Sequence, residues 1–259
     1  MKLNRLLAAC AVVAGLTSTG TASAAGVIFL LGTDAIGLHA DASYINPTFD
    51  QMANFGSKKL LFVNDYGASS VSYTAGNITI DFLSTAAWNA GPAAALAGYS
   101  GVYFDSPGSC CGDPGPTLTA GAAELTAFVA GGGSFGVGDY AGEDFWDPIL
   151  GFDGEAGVTG GGKGASTCED PGVSTVGGLA FGYDPSYTEG CFVHQTYGAA
   201  FWTGKGFFAL QTNGSVGSAT FGDWVTMATG FKDPGLPEPG SLALAGLALL
   251  GLAAARRRA

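Results

Sequence analysis

Glycine occupies 44 of the 259 positions, and nothing else in the chain limits its fold as strongly. A residue without a Cβ weakens helix and strand interiors and fits where the backbone must turn sharply, so this many glycines favour tight turns and irregular loops over long helices. Hydrophobic residues still make up 47% of the chain and aromatic residues 12%, which supports a folded body with one sizeable core. Charged residues are only 12%, leaving the surface to Ser, Thr, Asn, Gly and Asp. A formal net charge of -11 repels phosphate backbones. That argues against nucleic acid as a partner and favours neutral sugars or cations.

Both ends read as processing signals. "MKLNR" supplies a positive start, "LLAACAVVAGL" an apolar run, and Ala22, Ser23 and Ala24 a cleavage site of the A-x-A type. Residues 1–24 are therefore expected to be a signal peptide removed by signal peptidase. Cys10 belongs to that apolar run. The remaining cysteines, Cys110, Cys111, Cys168 and Cys191, are an even set in an exported chain and predict two disulfides. Neighbouring Cα atoms lie about 3.8 Å apart, below the usual ~4.4–6.8 Å of a disulfide, so Cys110 and Cys111 should each join one of the distant pair. Their spacing does not suit a zinc site.

At the other end, Leu242 to Ala255 is an apolar run of Leu, Ala and Gly followed by Arg256, Arg257 and Arg258. As a helix it would reach only ~21 Å against a hydrocarbon layer of ~30 Å, so it predicts transient membrane insertion with the arginines at the cytoplasmic headgroups. Pro237, Glu238 and Pro239 precede it. Tripeptide, short apolar segment and basic end together resemble the PEP-CTERM sorting signal of Gram-negative bacteria. The resemblance implies recognition and cleavage by an exosortase, with the body released to, or attached at, the cell surface, often in organisms that make exopolysaccharide. Residues 232–236 read as a linker and 237–259 as the sorting signal.

Between the signals, residues 25–231 read as one body. Apolar runs predict strands at 27–31, within "KKLLFVND" and "NITIDFL", and at 101–104 and 134–137. Short helices are expected over 92–97, from Thr119 as N-cap to the glycines at 131–133, and in "FGDWVTMATGF". The stretch after the first strand and the Gly-rich "GVTGGGKGASTCEDPGVSTVGG" read as loops, and "TYGAAFWTGKGFFALQTNG" as strands around a turn. This alternation predicts an α/β domain with a mostly parallel sheet covered on both faces. "YSGVYFDSP", "LTAGAAELTAFVAGGGSFGVGDYAGEDFWDPILGF" and "GKGFFAL" resemble the class I glutamine amidotransferase-like fold and its trehalose-utilisation relatives, implying a three-layer flavodoxin-like domain. A β-rich sandwich is the alternative.

The resemblance does not bring its catalytic chemistry. Where that superfamily has a cysteine nucleophile, this chain has Gly138, Asp139 and Tyr140. His194 closely follows Cys191 and reads as structural, and His39 is isolated. Ser134 fits G-x-S-x-G, but a helix precedes it and a strand follows, the reverse of a nucleophile elbow. "GVTGGGKG" lacks the closing Ser or Thr of a P-loop, and "GVGDYA" matches a dinucleotide turn only in spacing. The acidic run Asp139, Glu143, Asp144, Asp147, Asp153 and Glu155, with Asp105 at the end of its strand, is the candidate site. Carboxylates of this kind can hold a hard cation or act in pairs on a glycosidic bond, although the order of a calcium loop is missing. No catalytic residue, metal ligand set or cofactor is assigned. The first reading is an exported surface or matrix protein with a non-catalytic body facing polysaccharide or other envelope material. The second is a secreted hydrolase working around Asp139 and Asp105.

Overall fold

The computed structural model describes residues 26–37, 41–53, 58–65, 73, 78–105, 119–138, 163–165, 172–183, 193, 195–213 and 224–229. Ten strands lie within these residues: β1 (Ile28–Leu31), β2 (Lys59–Val63), β3 (Thr79–Leu83), β4 (Gly101–Phe104), β5 (Ser134–Gly138), β6 (Lys163–Ala165), β7 (Gly172–Ser174), β8 (Gln195–Tyr197), β9 (Phe208–Asn213) and β10 (Trp224–Thr229). Six helices accompany them: α1 (Ala42–Ala53), α2 (Thr85–Ala90), α3 (Pro92–Ala95), α4 (Ala122–Ala130), α5 (Val176–Phe181) and α6 (Ala199–Gly204). All ten strands join one sheet, ordered β3-β2-β4-β5-β1-β10-β8-β6, with β9 against β10 and β7 against β9.

The expected flavodoxin-like domain with a mostly parallel sheet is not what the chain forms. Five of the nine strand pairings among the described residues are antiparallel: β1–β10, β10–β8, β10–β9, β6–β8 and β7–β9. The sheet is mixed and the fold is β-rich, with four of the six described helices only four to six residues long. The β-rich alternative is nearer in strand content, but the strands share one sheet.

The physical reason lies chiefly in β10. "WVTMAT" was expected to be helical, yet its residues suit a strand, with Val225 to Ala228 buried and Met227 and Ala228 supplying opposite faces of the sheet. It runs antiparallel to β1, pairing Ile28 with Thr229 and Leu31 with Thr226. The Gly-rich stretch expected to be a loop contributes β6, β7 and the start of α5, adding further antiparallel pairs.

Side chains alternate along β1. Ile28 and Leu30 enter one core with Trp88, Leu125, Val129 and Trp202, whereas Phe29 and Leu31 enter the other with Ile45, Phe49 and Met52. Helices therefore cover both faces. α1 was hidden in the sequence by Pro47, which sits inside it with its ring buried. Its first turn is secured by Asp41, whose carboxylate accepts the Ser43 N–H at 2.8 Å and whose carbonyl accepts the Ile45 N–H at 2.9 Å.

The N-cap of α4 is Gly121 at φ 103°, not Thr119. A Cβ there would stand 2.5 Å from the Trp88 ring, so both backbone angle and packing require glycine. Trp88 is fully buried, meets Phe104 edge-on at 4.8 Å and donates its indole N–H to the Ala120 carbonyl at 2.8 Å. Replacing Trp88 with Ala removes all three interactions. The expected cost is about 3–5 kcal/mol, read as a lower denaturant midpoint at unchanged slope.

Candidate functional site

Strands β1, β2, β4 and β5 run parallel, so their C-terminal ends lie along one edge of the sheet. Each is followed within three residues by an aspartate in the sequence: Asp34, Asp65, Asp105 and Asp139. Open sheets with parallel strands bind ligands at this edge, because loops there can present side chains without disturbing the ladder.

The backbone beyond β1 is held tightly. Gly32 donates its N–H to the Val225 carbonyl at 2.7 Å and accepts the Gln195 N–H at 3.1 Å. There is no space for a Cβ between Gly32 and the Gln195 carbonyl. Thr33 bridges to Val193, and its hydroxyl accepts the Ala35 N–H at 3.1 Å, starting the turn that carries Asp34. On β4, the Asp105 N–H donates to the Val63 carbonyl at 3.0 Å, extending the ladder one residue past Phe104. Asp34 and Asp105 are 5% and 4% exposed, so both carboxyl groups are inside the protein.

Tyr103 brings the third group. Its ring stacks on Phe62 at 5.2 Å and meets Phe49 edge-on at 5.6 Å, and its hydroxyl is buried without a hydrogen-bond partner. A Cβ on Gly138 would stand 2.7 Å from that hydroxyl, 3.1 Å from the Thr33 carbonyl oxygen and 3.4 Å from Asp105 Oδ1. Three oxygens from three chain segments thus close on Gly138 and leave no room for a side chain there. Gly37 packs directly against the Asp105 carboxylate, closing it from the loop side. Burial, then the negative charge of Asp105, the neighbouring Tyr183 and the charge of Asp34 push the Tyr103 hydroxyl well above its ordinary pKa, so it stays a neutral donor.

Asp65 serves differently. It accepts hydrogen bonds from the Thr85 N–H and hydroxyl and so fixes the start of α2. Of the residues expected at the site, Asp105 is at this edge, whereas Asp139, Glu143 and Asp144 lie outside the described residues. Cys110, Cys111, Cys168, Cys191, His39 and His194 also lie outside them. Ser134 is fully buried at the opposite end of the parallel strands, which removes it from any site with Asp105. Asp34, Thr33 and Tyr103 were missed. The recurring aspartate after each strand could have identified Asp34, but Tyr103 reads in sequence as an ordinary core aromatic. Among the described residues no group of three or more His, Cys, Asp or Glu could hold a metal ion.

A second functional element lies outside the described residues. Residues 236–258 match the PEP-CTERM protein-sorting motif. The chain carries an exosortase sorting signal. It is therefore an exported, envelope-associated protein processed by exosortase. The matched range contains Pro237, Glu238 and Pro239 and extends through Arg256, Arg257 and Arg258. No curated protein and no solved structure matches the chain, and the amidotransferase resemblance finds no support. No helix among the described residues is long and apolar enough to cross a membrane. The apolar run from Leu242 to Ala255 is not among them.

The buried tyrosines predict a pH response. Burial raises Tyr183, with a smaller opposing effect from its hydrogen bond to Thr48, and burial followed by Asp50 raises Tyr73. Above the ordinary value of 10.0, the unfolded chain sheds tyrosyl protons that the folded chain retains. Stability should therefore fall as pH rises past about 10, because the unfolded state then binds fewer protons. Urea midpoints measured across that range should show the decline, with a shallower slope for Tyr103→Phe.

Proposed function

We propose that this is a surface or matrix protein of a Gram-negative envelope whose body is a non-catalytic module for neutral polysaccharide or similar envelope material. In this reading residues 1–24 are the signal peptide, 25–231 the body, 232–236 a linker and 237–259 the sorting tail. The tail holds the chain transiently in the membrane until exosortase cuts it. Delivery to the envelope is supported by the sorting motif at residues 236–258. The burial of Asp105 carries the non-catalytic reading. A glycosidase carboxyl group must reach the bond of a bound sugar chain, and Asp105, 4% exposed behind Gly37, is closed off from a polymer.

Two measurements check this. Mass spectrometry of the protein recovered from its host should find a C-terminus that lacks the apolar segment and the three arginines, and an intact tail on exported protein would overturn the sorting account. The same mapping without reductant should join each of Cys110 and Cys111 to either Cys168 or Cys191. Purified protein should co-sediment with neutral exopolysaccharide from the host without releasing reducing ends. Enzymatic release of reducing ends would establish the hydrolase instead.

A further inference from the structure

We infer that the end of the sheet from which Thr229 leads to the sorting tail is a membrane-facing surface, which rests on an anionic phospholipid bilayer through Val176 and Leu179 of α5 and through Lys58 and Lys205. This depends on the transient tether proposed above, which holds the body near the bilayer. From Thr229 to Leu242, where the apolar run begins, the stretched chain reaches about 45 Å. A tether of that length brings the body to the lipid without choosing its face, so surface chemistry has to choose. Val176 is 85% exposed and Leu179 47%, and with Val173 on β7 they are the large exposed hydrophobic residues among those described. Apolar side chains left together in water mark a contact surface.

The position of α5 ties it to the tether. Thr175, its N-cap, donates its N–H to the Leu210 carbonyl at 2.9 Å and its hydroxyl to the Ala209 carbonyl at 2.8 Å, and Phe181 lies 5.9 Å from Phe208. The helix therefore packs on the half of β9 that pairs with the end of β10, where the Thr229 hydroxyl donates to the Gly206 carbonyl at 2.8 Å. Charge is sorted along the same axis. Exposed Lys58 stands just before β2, and exposed Lys205, its ammonium 5.5 Å from the Phe201 ring, stands just before Gly206, so both are at the tether end. Two carboxylates lie towards this end and both are engaged, Asp81 by Lys59 at 2.6 Å and Asp50 by the Tyr73 hydroxyl. Asp34, Asp41, Asp65, Asp105 and Glu124 belong to the opposite end. An acidic protein with a formal net charge of -11 thus turns lysines and exposed aliphatic side chains, not its carboxylates, towards the side from which the tail departs. Lysines beside an apolar ridge suit an interface of anionic headgroups over acyl chains.

The test places the exported chain, with its sorting tail intact, in vesicles of phosphatidylcholine and phosphatidylglycerol. Tryptophan is introduced at two exposed positions, Val176→Trp on α5 and Ala86→Trp on α2 at the opposite end, and the fluorescence each adds over wild type is quenched with brominated phosphatidylcholine. Quenching of at least ~2-fold is expected for Val176→Trp and none for Ala86→Trp. Adding Lys58→Glu and Lys205→Glu to Val176→Trp, or raising salt to about 0.5 M, should reduce the quenching by roughly half. Equal quenching at the two positions would overturn the surface, because the body would then have no preferred face. Absence of quenching at Val176→Trp in vesicles that carry the protein through flotation would overturn it alone, leaving the tether standing. Failure of the wild-type chain to float with the vesicles would bring down the tether and this surface together.

Discussion

β1 is hydrogen-bonded along both edges, parallel to β5 and antiparallel to β10, and the rest of the structure depends on that double pairing. It joins a parallel group of strands to an antiparallel one and contributes residues to both cores. With only four residues, it succeeds because all four are apolar and buried. A one-residue slip would exchange Phe29 and Leu31 for Ile28 and Leu30 across the sheet and mismatch both cores at once. The same register sets the Thr33 carbonyl beside Gly138 and Asp105.

Parts of this were legible in the sequence, and the reasons are local. β2 and β4 are largely apolar runs between turn-forming residues, and β5 follows the glycines that end α4, so their positions could be read within a residue or two. β10 could not, because a six-residue strand with all its central positions buried has no polar alternation to separate it from a short helix. α1 was obscured by a proline that packing tolerates, and β7 is a three-residue strand that exists only because β9 offers it a partner. Antiparallel closure depends on contacts between distant parts of the chain. No local pattern reports it.

The candidate site was half visible for a related reason. Asp105 stands out after a clear strand, but Tyr103 acquires a role only when Gly138 and Thr33 are brought against it by strand register. The aspartates at these strand ends also diverge in use. Asp65 reaches Thr85 and holds a helix, whereas Asp34 and Asp105 turn inward beside a neutral tyrosine. Identical spacing after a strand therefore does not imply identical chemistry, since the neighbouring segment decides it.

The antiparallel pairing of Ile28 with Thr229 has a further consequence for how the molecule stands on a cell. Both termini of the body emerge at the end of the sheet opposite Asp34 and Asp105. From Thr229 to the start of the matched signal at residue 236 the chain spans at most about 25 Å when fully stretched. That end of the sheet thus stays within this reach of the sorting signal, and the central ladder cannot be completed until β10, the last described strand, is available to it.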